Sequence, residues 1–129
     1  GFETWCEYDL KGNLIHEIRS NGFETWCEYD LNGNLIHEKR SDGFEKWNEY
    51  DSMGNMIYET DSDGNETRCE YDQKGNNIHV SRNSDEYWYE YDSRGNVIHA
   101  KSSVDLEYWY EYTFHPNGKL KSKKTYIPF

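Results

Sequence analysis

The chain has 129 residues, enough for one domain, and its formal charge of −11 excludes the basic face that nucleic acid or an anionic membrane surface would need. No apolar run is long enough to insert into a membrane as a helix. Apolar residues make up 34% and charged residues 30%, yet aromatics reach 17%, so disorder is not expected and the folded surface must be built of rings.

The chain opens on Glu3-Thr4-Trp5-Cys6-Glu7-Tyr8, an alternating segment rich in aromatic and β-branched residues that predicts a strand. Asp9-Leu10-Lys11-Gly12 follows. Asp first and Gly fourth suit a type I turn closed by a bulge in which Gly takes the left-handed conformation. Asn13-Leu14-Ile15-His16-Glu17-Ile18 predicts the returning strand, and Asn21-Gly22 predicts a two-residue reversal into the next hairpin. The unit then recurs: Tyr-Asp pairs stand at 8, 29, 50, 71 and 91, and Tyr112 continues the series, with spacings of 21, 21, 21, 20 and 21. A fixed period of this size defines a repeat architecture. Five regular hairpins, over about residues 1–106, and a divergent capping hairpin, about 107–129, are expected to form one domain. The predicted fold is all-β: an antiparallel meander of tandem β-hairpins that coils into a solenoid or open spiral sheet.

Three junctions depart from the pattern. Arg82-Asn83-Ser84-Asp85-Glu86 is one residue short and predicts a three-residue turn; Ser103-Val104-Asp105-Leu106 lacks Gly; and Tyr112 to Gly118 is two residues longer and contains Pro116. The last strand carries Lys119, Lys121, Lys123 and Lys124. Lysine on a terminal strand opposes edge-to-edge pairing, so this strand is read as a cap. The first strand has no such guard, and the array is expected to continue upstream or to pair there with another chain.

Turn lengths predict a register. Tyr8 should face Leu14, Glu7 face Ile15, Cys6 face His16 and Trp5 face Glu17; in the next joint His16 should face Cys27 and Glu17 face Trp26. One face would then carry a Tyr/Leu row (Tyr8, Leu14, Tyr29, Leu35, Tyr50) beside a Cys/His row (Cys6, His16, Cys27, His37). The other would carry a Glu/Ile row and a Trp/Glu row.

The Tyr-Asp-x-x-Gly-Asn core, as in Tyr8-Asp9…Gly12-Asn13 and Tyr50-Asp51…Gly54-Asn55, resembles the Rhs/YD-repeat family. The resemblance implies consecutive hairpins in a spiralling sheet and a place in a bacterial secreted or cell-surface protein. It also implies a link to toxins and to carbohydrate binding. A weaker similarity joins Tyr87-Trp88-Tyr89-Glu90-Tyr91 to choline- and glucan-binding cell-wall repeats.

Among the candidate sites, Trp5, Trp26, Trp47, Trp88 and Trp109 recur on every second strand, about 9–10 Å apart between neighbours. Flanked by Glu17, Glu38 and Glu59, these rings could stack on sugars while the carboxylates accept hydroxyl hydrogen bonds. The alternative is that they cover the Ile column and hold the sheet together. Cys6, His16, Cys27 and His37 have the residue types of a zinc site, but a straight row of four strands spans about 14 Å and does not converge. A Cys6–Cys27 disulfide fails on the same distance. No metal or other cofactor is therefore expected. There is no phosphate loop, nucleophile elbow or metalloprotease motif, and a repeated carboxylate is not an active site, so the chain is not read as an enzyme. The reading is a scaffold or binding module with glycan as the expected ligand. The alternatives are a purely structural or self-associating module, dimerising through the Tyr/Leu face or the N-terminal edge strand Phe2 to Tyr8, and a toxin- or immunity-associated interaction protein.

Overall fold

The computed structural model describes residues 3–128; Gly1, Phe2 and Phe129, and with them the start of the proposed N-terminal edge, lie outside the described residues. Every element is a β-strand, and the strands form an antiparallel meander in which spatial order is chain order. The chain divides into two compact units, Gly1–Arg68 and Cys69–Phe129. The first holds β1 (Thr4–Tyr8), β2 (Leu14–Arg19), β3 (Glu24–Tyr29), β4 (Leu35–Arg40), β5 (Glu45–Tyr50) and β6 (Met56–Asp61). β7 (Glu66–Tyr71) begins in the first unit and ends in the second. The second continues with β8 (Asn77–Arg82), β9 (Asp85–Tyr91), β10 (Val97–Ser102), β11 (Glu107–Phe114) and β12 (Leu120–Tyr126).

The Asp-x-x-Gly-Asn turn forms as the sequence predicts, and its chemistry explains each of its fixed residues. In the first copy the Gly12 amide donates to the Asp9 carbonyl and the Asp9 amide to the Asn13 carbonyl. Gly12 sits at φ +88°, a region in which a side chain is costly. The Asp9 carboxylate accepts from the Lys11 and Asn13 amides and from Asn13 Nδ2, at 2.9, 2.9 and 3.2 Å. The Asn13 amide above all holds the Asp9 carboxyl below the usual carboxylate range, and the Asn at the same turn position does so for Asp30, Asp51, Asp72 and Asp92.

The second kind of turn departs from expectation. Asn21-Gly22 is not a two-residue reversal: the Gly22 amide donates to Arg19 and the Arg19 amide to Phe23, the same geometry as at Asp9, with three loop residues. Asp61-Ser62-Asp63-Gly64-Asn65 even reproduces the Asp-x-x-Gly-Asn bonds, through Asp61. In turn, Arg82 pairs directly with Asp85, so the short junction has two loop residues rather than three, with Asn83 at φ 55°.

The register is also corrected. Tyr8 pairs with Leu14 as expected, but Glu7 pairs with His16, Cys6 with Glu17 and Trp5 with Ile18. Ile15 is the extra residue of a β-bulge, as are Ile36, Ile57 and Ile98 in later hairpins. In the next joint His16 pairs with Trp26 and Glu17 with Thr25. Because side chains alternate along a strand, the bulge puts the histidines opposite Glu7 and Glu28 and the three-residue turn puts them opposite the tryptophans. The two shifts leave the cysteines, with Glu17 and Glu38, on the opposite face, so the expected Cys/His row does not exist.

A second joint-forming contact comes from the tyrosines of three Tyr-Asp pairs and from Tyr112, which continues their series. Tyr29 donates its hydroxyl to the Leu14 carbonyl, Tyr50 to Leu35, Tyr91 to Asn77 and Tyr112 to Val97, at 2.8, 2.9, 2.6 and 2.6 Å. These carbonyls belong to the strand before, at the bulge, where the ladder between hairpins has already ended. Tyr29, Tyr50 and Tyr71 are half-buried, whereas Tyr8, on the first strand, is 61% exposed. Among the described residues Cys69 is the one apolar side chain classed as buried, and no large side chain is fully buried.

Candidate functional site: the tryptophan–histidine face

The five predicted tryptophans share one feature, an indole left 36–48% exposed. Four of them stack on a histidine of the preceding strand: His16–Trp26, His37–Trp47, His79–Trp88 and His99–Trp109, with centroids 5.1–5.3 Å apart and planes within 11°. Trp5, on the first of the described strands, meets His16 edge-on instead. The three-residue turn between hairpins is what allows the stack, since pairing Arg19 with Phe23 and Arg40 with Phe44 brings His16 opposite Trp26 and His37 opposite Trp47.

Three of the four stacked imidazoles are also placed between carboxylates of their two neighbouring strands. His37 has Glu28 3.5 Å from Nδ1 and Glu45 3.1 Å from Nε2; His99 has Glu90 at 3.5 Å and Glu107 at 2.7 Å. His79 lies likewise between Glu70 and Glu86, and His16 approaches Glu24 at 3.8 Å. The carboxylates that flank the rings are therefore Glu28 and Glu90 and their equivalents, not Glu17, Glu38 and Glu59. Glu17 and Glu38 bond Arg19 and Arg40 on the other face. Arg68 replaces tryptophan in the first unit and lays its guanidinium over Tyr58, 4.4 Å from the ring centroid. Within these rows two open notches have the same walls. Trp26, Glu28, His37 and Lys39 line one of about 270 Å³ in the first unit, and Trp88, Glu90, His99 and Lys101 line part of one of about 430 Å³ in the second. No group of three or more metal-ligating side chains converges among the described residues. Strict alternation and two-residue reversals hide the Trp–His–Glu grouping: the bulge after Leu14 sets the His–Glu pairs, and the three-residue turns set the Trp–His pairs.

Repeated hairpins joined by a tyrosine-to-carbonyl bond and a Trp–His stack define a repeat scaffold of the YD type. The Teneurin YD-shell family profile matches residues 3–126, and the chain belongs to that family. Similar solved structures include the crystal structure of TcdB2-TccC3 (17% identity, TM-score 0.57) and that of TcdB2-TccC3-Cdc42 (17%, 0.55); each match covers 98% of this chain and 9% of the other. A third is the Photorhabdus luminescens Tc holotoxin pore with a TccC3 mutation (18%, 0.56), covering 97% of this chain and 9% of that one. At these identities the likeness is one of fold, and the chain spans about a tenth of the length of the proteins it resembles. No curated protein matches the chain.

Proposed function

We propose that this chain is a non-enzymatic scaffold panel, a run of YD hairpins within the wall of a secreted or surface-exposed toxin-like protein, whose contacts are with other protein segments. The observation that carries this reading is the uniformity of the joint. The same turn, bulge and Tyr-to-carbonyl bond recur in both units, and each hairpin is stabilised by its neighbours rather than by a unique core. The toxin setting rests on the solved structures of like fold. Removing one whole repeat, residues 22–42, rejoins Asn21 to Gly43 and restores an Asn-Gly turn. The shortened chain should fold cooperatively with a β-sheet circular dichroism spectrum. Loss of cooperative folding would show that the panel depends on a unique arrangement and would overturn the reading.

A second reading, a carbohydrate platform, is favoured by the exposed indoles with a carboxylate, an imidazole and an ammonium around two equivalent notches. Trp5, Trp26, Trp47, Trp88 and Trp109 would stack on sugar rings, and Glu28 and Glu90 would accept hydroxyls. A glycan array probed with the parent chain and with Trp26→Ala/Trp88→Ala tests it: binding lost in the double variant and kept in Glu38→Gln supports the platform, and no binding by the parent rejects it.

A further inference from the structure

The face opposite the tryptophans carries a different cavity, confined to the second unit. Here β9 presents Tyr87 and Tyr89, β11 presents Tyr108 and Tyr110, and β10 runs between them. Ala100 pairs with Tyr89 on one side and Tyr108 on the other, and Ser102 pairs with Tyr87. With Lys101 and Leu106 these residues line an open, largely apolar cleft of about 220 Å³. The cleft arises from coincident changes in the repeat. Thr25 and Cys27 hold the places of Tyr87 and Tyr89, while Glu38 and Arg40 hold those of Ala100 and Ser102. In the first unit Arg40 bonds Glu38, and Arg19 bonds Glu17, across this floor. In the second unit the walls are aromatic and the floor is a methyl group and a small hydroxyl. Tyr91 and Tyr112 give their hydroxyls to main-chain carbonyls. The hydroxyls of Tyr87, Tyr89, Tyr108 and Tyr110 have no hydrogen-bond partner among the described residues. Lys123 of β12 places its ammonium 4.6 Å from the Tyr110 ring centroid, and Lys101 stands at the lip. No carboxylate lines the cleft, although the chain carries a charge of −11.

We propose that this cleft takes a proline-rich segment in the polyproline II conformation, with acidic residues beside its prolines. The proposal rests on the reading of the chain as a panel that touches other protein segments, and names one such segment. Its geometry fits. β9 and β11 lie two strand spacings apart, about 9.4–9.8 Å. A polyproline II helix repeats every three residues, about 9.3 Å, so prolines three apart meet the two tyrosine walls together as the segment crosses the strands. Its chemistry fits as well. Polyproline II has no internal hydrogen bonds, which leaves its carbonyls open to the free tyrosine hydroxyls. The ligand is already stiff, and aromatic-lined grooves exploit the small ordering cost of such segments. Lys101 and Lys123 oppose a basic ligand and complement an acidic one.

Fluorescence anisotropy tests the proposal, with the full chain titrated into a labelled oligoproline peptide that bears an aspartate at each end. The expected result is saturable binding that a peptide with glycine in place of proline does not show. Lysine in place of the aspartates should weaken it by about two- to fivefold, the range of one exposed ion pair. Tyr89→Asn and Ala100→Glu each install a residue that another hairpin carries at that place, Asn48 and Glu59, so the fold has a precedent for both. Each should weaken binding by about tenfold, through a lost aromatic wall or a filled floor. Trp88→Ala, on the opposite face, should leave it unchanged. Circular dichroism of each variant separates loss of the cleft from loss of the fold. No binding of the proline peptide, equal binding of the glycine peptide, or binding indifferent to both cleft variants would overturn the proposal. So would binding of an oligosaccharide in place of the peptide, lost in Ala100→Glu. None of these results touches the panel reading, which stands or falls on the repeat deletion.

Discussion

Tyr29 donates its hydroxyl to the backbone carbonyl of Leu14, 2.8 Å away and fifteen residues earlier in the chain. The bond joins a residue fixed by one turn to the bulge that follows the turn before it. Burial, ahead of the nearby Cys27, raises the Tyr29 hydroxyl above its ordinary pKa, which already lies well above physiological pH, so it is a neutral donor there.

Replacing Tyr29 by Phe should therefore remove one half-buried hydrogen bond at nearly constant shape. A loss of about 0.5–1.5 kcal/mol is expected, read as a lower urea midpoint at unchanged slope. Tyr8→Phe has no such carbonyl to lose among the described residues and should lower the midpoint less. Equal effects at the two positions would show that the ring, not the hydroxyl, forms the joint.

The turn aspartates set the acid limit of the fold. Asp9, Asp30, Asp51, Asp72 and Asp92 are all more acidic folded than unfolded, chiefly through the amide of the Asn four residues on. Their contribution is fully present above the unfolded value of about 3.9 and is lost as pH falls through the lower folded values. Urea midpoints should drop steadily below about pH 4. Asp51→Asn should be less stable than the parent at neutral pH, and the two curves should converge in acid.

Gly33 lies at φ +85° with open space around its missing Cβ. The cost of Gly33→Val is thus conformational rather than steric crowding by neighbours, and should exceed about 1 kcal/mol in thermal or urea unfolding. The converse holds at Asp105, which occupies the place of Gly43 at φ 63°. Asp105→Gly should raise the melting temperature.

Ser62 clamps the start of β5. Its hydroxyl accepts from the Glu45 amide at 2.9 Å and its own amide donates to the Glu45 carbonyl at 2.8 Å. Ser41 and Ser103 do the same for Glu24 and Glu86. Ser62→Ala should cost about 0.5–1 kcal/mol and raise the hydrogen-exchange rate of the Glu45 amide, while the neighbouring Lys46 amide, inside the strand, changes little.

The strands and the Asp-x-x-Gly turns were legible because both are local. Alternation marks a strand, and Asp9 and Gly12 each have one physical reason to stand where they do. The site was legible only in part. Its tryptophans can be picked out by their period, but their partners depend on two one-residue events. The bulge at Ile15 leaves no mark in a pattern of period two except the doubled apolar pair Leu14-Ile15, and it puts Glu7 rather than Cys6 opposite His16. The third loop residue of the Asn21-Gly22 turn puts Trp26 rather than Cys27 opposite His16. The Asn21-Gly22 turn was misread for a related reason. The dipeptide favours a tight reversal on its own, while the ladder it closes requires the Gly to serve as a bulge after a type I turn.

The acceptor of each tyrosine hydroxyl is a main-chain carbonyl, contributed in turn by Leu14, Leu35, Asn77 and Val97. A peptide oxygen is the same whatever side chain it belongs to. Each hairpin is thus indifferent, at this bond, to the composition of its predecessor. Copies can diverge, be lost or be inserted in steps of one period without a compensating change elsewhere. The coupling between neighbours at this bond is written in the backbone, which leaves the exposed tryptophan rows and the turn tips free to vary.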